Sequence, residues 1–254
     1  MGPVVREIRS RTVLTKTRIP GSEYCVNPYV GCAHGCSYCY ASFMKRFTGH
    51  AEPWGGFVDV KVNAPEVLRR QLARARRGSV LVGTVTDPYQ PAERRYRVTR
   101  GCLEALADAR FPVSVLTRSP LCTRDIDVFR RFEGLSVGLS ITTDRDDVRR
   151  VFEPHAPSIP ERLEALRALH AAGVRTHVFA GPLLPMDPER LAEAIAESAD
   201  EVLVDRLNYP QKVVSLYRRA GFARYLEDGY FERCARTLER VLGTRGVPVS
   251  VLFG

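Results

Sequence analysis

The stretch Asn27 to Tyr40 reads Asn-Pro-Tyr-Val-Gly-Cys-Ala-His-Gly-Cys-Ser-Tyr-Cys-Tyr and sets Cys32, Cys36 and Cys39 in a C-x3-C-x2-C spacing. Glycines and turn residues are too frequent here for a regular helix or strand. Three thiolates so close in the chain can hold one metal centre. The ligand count is informative. Structural zinc sites close with four ligands and ordinary four-iron four-sulfur clusters take four cysteines, so a three-cysteine loop leaves one position for something else. A zinc site completed by His34 or Cys25 would use the same thiols, because zinc and iron–sulfur centres share an affinity for soft sulfur. Cysteines buried for packing alone sit in apolar runs, whereas these lie among Gly, His and Ser.

Outside the loop, a length of 254 residues suits one large α/β domain, and 44% hydrophobic with 26% charged residues is a globular composition. No apolar run approaches a membrane span and the first residues lack the apolar core of a signal peptide, so a cytoplasmic protein with no membrane partner is expected. Seven cysteines, three of them in one loop, do not resemble a disulfide framework. The net charge of +9 is compatible with a polyanionic partner such as nucleic acid, yet only Lys16, Lys45, Lys61 and Lys212 are lysines, and an arginine bias can also follow genomic base composition.

Residues 1–25 read as a basic N-terminal arm without helical period, and the chain then enters the loop through an extended piece, Cys25 to Tyr29. Tyr40 to Phe47 reads as a short helix. A basic helix is predicted from Pro65 to Arg77, with Arg69, Arg70, Arg74, Arg76 and Arg77 spread around it as a solvated face or a phosphate track. Alternation follows: strands at Val80–Val85, Val113–Thr117, Leu135–Thr142, Val174–Ala180 and Glu201–Asp205, and helices at Val98–Arg110, Arg124–Phe132, Ile159–Ala172 and Pro188–Ser198. With Val26–Tyr29 this makes six strands, a pattern that argues for a parallel sheet with helices outside it. A closing helix and strand, Tyr230–Leu242 and Val247–Phe253, end the chain. Periodicity alone leaves an open sheet and a barrel as alternatives.

The cysteine loop, with an aromatic residue before its last cysteine, resembles the signature of the radical S-adenosylmethionine (SAM) superfamily. Further motifs resemble the branch related to spore photoproduct lyase: Asn27-Pro28-Tyr29, Thr86-Asp87-Pro88-Tyr89-Gln90-Pro91, Thr117-Arg118-Ser119, Arg124-Asp125, Phe152-Glu153-Pro154 and Gly181-Pro182-Leu183-Leu184-Pro185. They cover roughly residues 26 to 190. The resemblance implies an α/β fold with a six-stranded partial (βα)6 barrel of the TIM type over residues 26–210, residues 211–254 being a C-terminal extension. It implies a 4Fe-4S cluster on Cys32, Cys36 and Cys39 whose open iron is chelated by SAM, giving a 5′-deoxyadenosyl radical that abstracts hydrogen, with flavodoxin or ferredoxin as electron donor.

In such a barrel, ligand groups collect at the C-terminal strand ends. By that reasoning Arg118 faces the SAM carboxylate, Asp87 or Thr86 its amino group, and Ser140 its carboxylate or ribose. The resemblance also carries two loop tyrosines over to Tyr38 and Tyr40, as candidate catalytic residues, with Tyr38 a cofactor contact as well. The lyase's hydrogen-donating cysteine falls on Val85, which cannot return a hydrogen atom; Cys122, five residues beyond Thr117, is the candidate substitute. Glu153 and His155 are candidates for polar substrate or proton transfer, His177 for a core residue, and Asp205, Arg206, Asn208 and Tyr209 for substrate contacts. The expected substrate is a nucleoside-like or nucleotide-like small molecule, modified in biosynthetic tailoring, lyase or carbon–sulfur chemistry included. DNA lesion repair or nucleic-acid modification, and a zinc or iron–sulfur module that binds nucleic acid, are the competing readings.

Overall fold

The computed structural model describes residues 2–253, and the chain divides into two compact units. The first comprises residues up to Gly35 together with Ala41–Val137, the second Cys36–Tyr40 together with the chain from Gly138 onward. Among the described residues no helix is long and apolar enough to cross a membrane.

In the first unit, β1 (Val4–Ile8), β2 (Leu14–Lys16), β3 (Tyr24–Val26), β4 (Tyr29–Val30), β5 (Phe57–Lys61), β6 (Val80–Val82) and β7 (Val113–Thr117) form two groups. One is a three-stranded sheet ordered β1-β5-β4, with β1 parallel and β4 antiparallel to β5. The other runs β2-β3-β6-β7, where β3, β6 and β7 are parallel and β2 is antiparallel to β3. Val26, Val80, Val82 and Val115 are completely buried, as expected of short β-branched runs covered on both faces. Helix Ala64–Leu72 presents Val67, Leu68 and Leu72 to the core and packs on helix Val98–Asp108.

The second unit takes up the chain within β8 (Leu135–Ser140) and continues through β9 (Thr176–Ala180), β10 (Glu201–Val204) and β11 (Val249–Val251), in that spatial order. β9, β10 and β11 run parallel. Helix Ile159–Ala171 begins at a complete capping box: the Ser158 side chain accepts from the Glu161 amide, and the Glu161 carboxylate reaches back to the Ser158 amide. The C-terminal helix Tyr230–Gly243 docks through Tyr230, whose hydroxyl donates to the Leu184 carbonyl at 2.8 Å.

Five of the six expected strands are present, most of them one to three residues shorter than read from sequence; the first, expected over Val26–Tyr29, lies instead at Tyr24–Val26, and Tyr29–Val30 is a strand of the other sheet. Residues 1–25 hold β1 and β2, and β5 lies in the stretch read as a connection. Helix 64–72 stops five residues before Arg77, because the chain turns to bring the Arg76 carbonyl to the Tyr24 hydroxyl at 3.1 Å. The helix expected over Arg124–Phe132 is a 3-10 turn, Pro120–Asp125, followed by Ile126–Phe129. Asp125 is buried there between Arg124, Arg100 and the Tyr89 hydroxyl. Tyr40–Phe47 is 3-10 rather than α-helical.

Candidate functional site

The cysteine loop departs from β3 through Asn27, whose side chain organises the segment after β6: its Oδ1 accepts from the amides of Thr84 at 2.9 Å and Val85 at 3.0 Å, and its Nδ2 donates to Thr84 Oγ1 at 2.7 Å. Gly31 follows at φ +81°, where an added Cβ would lie 2.5 Å from the Phe57 carbonyl oxygen, so only glycine fits. Its carbonyl accepts from Thr86 Oγ1 at 2.6 Å and Gln90 Nε2 at 3.3 Å, while Gln90 Oε1 accepts from the Ala33 amide at 2.9 Å. Thr86 and Gln90 thus clamp the loop on both sides of Cys32. Thr86 was expected at SAM; its hydroxyl is engaged by the loop itself.

Asp87 is likewise committed to protein. Its Oδ1 accepts from the Tyr89 amide at 2.9 Å and Thr117 Oγ1 at 2.6 Å, its Oδ2 from the Arg118 amide at 2.8 Å, and His34 Nε2 stands 3.2 Å from Oδ2. A carboxylate has about four acceptor directions; three accept hydrogen bonds from protein, and the His34 ring lies beside the fourth. Complete burial alone would raise its pKa, but His34, the Thr117 hydroxyl and the Arg118 amide outweigh that and hold the carboxyl at about 2. Asp87 therefore fixes the end of β7 and orients the backbone of Arg118, which replaces the expected direct contact with an amino group. The Arg118 side chain is half-buried. Below this loop, Tyr29 donates to Glu93, which also accepts from Arg124 Nη2 at 2.9 Å and the Thr99 amide at 2.9 Å.

In the second unit the remainder of the loop is held by the segment after helix Asp146–Phe152. The Ser37 amide donates to the Phe152 carbonyl at 2.9 Å, and the Tyr38 hydroxyl donates to Glu153. Glu153 is fully buried, accepts from Thr142 Oγ1 at 3.0 Å, and is ion-paired with the equally buried Arg162. Arg162 Nη1 in turn donates to the Ser140 carbonyl at 2.9 Å. The expectation that Glu153 meets substrate is corrected: its oxygens are spent on Tyr38, Thr142 and Arg162. Cys36 and Tyr38 pack into a cluster with Phe152, Leu184, Val213 and Tyr217, and Lys212 Nζ donates to the Cys39 carbonyl at 2.7 Å.

At the end of β8 the Ser140 hydroxyl makes no hydrogen bond, as is also true of the buried His34 ring nitrogens and the Tyr217 hydroxyl. The residue is 1% exposed and its Oγ has no hydrogen-bond partner. Leaving such a group unpaired costs about 1–3 kcal/mol, which a bound ligand would recover.

The remaining candidates separate by environment. Tyr40 is exposed. Cys122 is fully buried, and burial, followed by the nearby Asp87 charge, raises its thiol well above the usual range, so it stays protonated. Val85 is half-buried beside Asn27. His155 is exposed, while His177 is a core residue, as expected, with burial depressing its pKa to about 4. Asp205 is half-buried and accepts from Asn208 Nδ2 at 2.8 Å, burial raising its carboxyl. Arg206 lies over the Phe253 ring and Tyr209 is exposed. Gln90, Glu93, Asn27, Arg162 and Lys212 carry much of the site; Asn27 and Gln90 stand in the motifs quoted from sequence and Glu93 follows them at the same strand end, but none of the five is given a role of its own there. Glutamine or asparagine aimed at backbone leaves no spacing pattern, and Arg162 looks like any helix arginine.

The Radical SAM superfamily model matches residues 26–207. The chain belongs to the radical SAM superfamily. It is 29% identical over 238 residues to an uncharacterized protein of Methanocaldococcus jannaschii, covering 87% of this chain and 90% of that one. An uncharacterized protein of Mycobacterium tuberculosis strain H37Rv is 35% identical over 197 residues, 72% of this chain and 57% of that protein, so the chain spans just over half the length of this relative. Among solved structures, spore photoproduct lyase complexed with dinucleoside spore photoproduct superposes with a TM-score of 0.69 at 15% identity, over 97% of this chain and 82% of the lyase.

Radical SAM membership makes the chain an enzyme of α/β fold with the superfamily's partial barrel, using a 4Fe-4S cluster and SAM. Each unit by itself holds donors of the kinds these groups take: Cys32 and Arg118, whose amide is pinned by Asp87, in the first, and Cys36, Cys39 and the orphaned Ser140 hydroxyl in the second. Among the described residues no three His, Cys, Asp or Glu side chains gather as they would around a single ion.

Proposed function

We propose that Cys32, Cys36 and Cys39 ligate three irons of the cluster, that Arg118 and Ser140 hold the polar groups of SAM, and that the enzyme abstracts hydrogen from a nucleoside-like or nucleotide-like small molecule. When reduced, the cluster and SAM together supply a 5′-deoxyadenosyl radical; the electron comes from a small carrier such as flavodoxin or ferredoxin. The work of the chain itself is positional. Thr86 and Gln90 fix the loop on either side of Cys32, Tyr38 and Ser37 fix it between Cys36 and Cys39, and Asp87 aims Arg118. The Arg118 guanidinium can meet a carboxylate through two parallel hydrogen bonds.

The orphaned Ser140 hydroxyl carries this reading, because a buried polar atom at the C-terminal end of a strand is where α/β sheets bind ligands. The nucleoside-like substrate is supported by the fold shared with spore photoproduct lyase, whose structure holds a dinucleoside photoproduct. Val85 at the lyase's hydrogen-donor position argues for a different fate of the product radical. The reading is tested by anaerobic reconstitution followed by iron, sulfide and 5′-deoxyadenosine analysis. Expected are four irons with matching sulfide and reductive SAM cleavage that Cys36→Ala abolishes. Stoichiometric zinc without sulfide, or undiminished cleavage in Cys36→Ala, would sink it.

A further inference from the structure

The first unit contains a groove of about 960 Å³ between β2 and the end of helix Ala64–Leu72. Arg11, Lys16, Arg70, Arg74 and Arg76 line it, Tyr24 forms part of its wall, and no Asp or Glu does among the described residues. Its floor is fixed. Gln71 Oε1 accepts from the amides of Val13 at 2.8 Å and Leu14 at 3.0 Å, and the Tyr24 hydroxyl donates to the Arg76 carbonyl. Of the five cations only Arg70 has a carboxylate within ion-pair distance among the described residues, the exposed Glu66 at 3.6 Å. Elsewhere in the same unit arginines are closely paired, as Arg100 and Arg124 are with Asp125.

Five like charges around one concavity repel one another within a screening length of about 10 Å at 0.1 M salt, and a polyanion removes that repulsion. Guanidinium forks match phosphate oxygens, and an aromatic wall offers a face on which a base can stack. We propose that this groove binds the phosphodiester backbone of a single nucleic-acid strand. A flat anionic bilayer fits the geometry less well, since the cations surround a recess and the lining Leu14 and Val67 are buried rather than free to insert. The groove adjoins Tyr24, the N-terminal residue of β3, whereas Thr84–Gln90 and Arg118 follow the C-terminal ends of β6 and β7. The strand is thus an anchor rather than the reacting group, and the inference does not depend on which nucleoside the enzyme modifies.

Fluorescence anisotropy of the reconstituted full chain with labelled single-stranded DNA and RNA 12-mers tests this. With four phosphates neutralised, affinity should fall about 50-fold between 50 and 200 mM salt. Combined Arg11→Glu, Lys16→Glu, Arg74→Glu and Arg76→Glu substitutions should lose at least that factor at 50 mM salt while preserving iron content and reductive SAM cleavage. A control of equal charge, Arg167→Glu, Arg218→Glu, Arg219→Glu and Arg236→Glu, should lose less than fivefold. Equal losses in both variants, no binding by the parent chain, or groove-dependent binding of phosphatidylserine vesicles without oligonucleotide binding would each overturn the proposal. If the charge reversals prevent folding, the same four positions as Gln must still weaken binding at least tenfold.

Discussion

The two halves of the cysteine loop are secured by different kinds of chemistry. Around Cys32, in the first unit, the loop backbone is held by neutral groups, a threonine hydroxyl and a glutamine amide that meet Gly31 and Ala33, and the charged neighbour is the Asp87 carboxylate 3.2 Å from the His34 ring. Between Cys36 and Cys39, in the second unit, the anchor is ionic, with Tyr38 bonded to a carboxylate that is itself buried against Arg162. Neutral bonds are individually replaceable at about 1 kcal/mol each. A buried ion pair is asymmetric: it adds little net stability, but removing one member strands a charge in a low-dielectric interior.

Arg162→Met should therefore have the largest effect, about 3–5 kcal/mol of lost stability in urea unfolding. The double variant Glu153→Gln, Arg162→Met should recover most of it, since no charge is left unpaired. A single-variant loss below about 1 kcal/mol would remove the distinction between the two halves. The same unit should respond to acid through His177, which is buried beneath Gly138 of β8, so close that an added Cβ there would lie 2.0 Å from its Nε2. Its folded pKa of about 4 lies below the ordinary value of 6.5. The unfolded chain therefore binds the extra proton first as pH falls. Stability is full above about pH 6.5 and declines towards pH 4, by about 3 kcal/mol over that window. His177→Asn should flatten this slope; an unchanged slope would assign it to other groups.

Gln90→Ala should cost less, about 1–3 kcal/mol, because it deprives the Ala33 amide of its partner without stranding a charge, while the Gly31 carbonyl keeps its bond from Thr86. Hydrogen exchange at Ala33 offers the local readout, and unchanged protection there would show that the amide is held by something else.

Legibility from sequence follows the same division. The cysteine spacing and the apolar strand runs are periodic or compact signals, so the loop and five of the six strands could be read directly, whereas the first strand ends at Val26, where its expected span begins. Asp87 and Glu153 were noticed for the right positions and given the wrong tasks. A sequence shows that a carboxylate stands near a strand end, but not that Thr117, Tyr89 and the Arg118 amide, or Thr142 and Arg162, already occupy its lone pairs. β5 was missed because Phe57–Lys61 follows a glycine-rich connection and includes the buried Asp59, whose carboxylate accepts a contact from His50 at 2.8 Å.

Ser140→Ala gives the smallest change in stability and separates ligand binding from folding. At the loop anchors, removing a side chain removes a bond that the folded protein already makes. At Ser140 there is no such bond to lose, since the buried hydroxyl has no partner. Substitution should leave urea unfolding of the SAM-free protein unchanged or slightly favour the folded state, because an unsatisfied polar group becomes a methyl. SAM affinity should fall about tenfold in the same variant, or about 1.4 kcal/mol, if the hydroxyl meets the ligand. A loss of stability with unaltered SAM binding would reverse the assignment and make Ser140 another structural residue of the second unit, like Thr142 beside it.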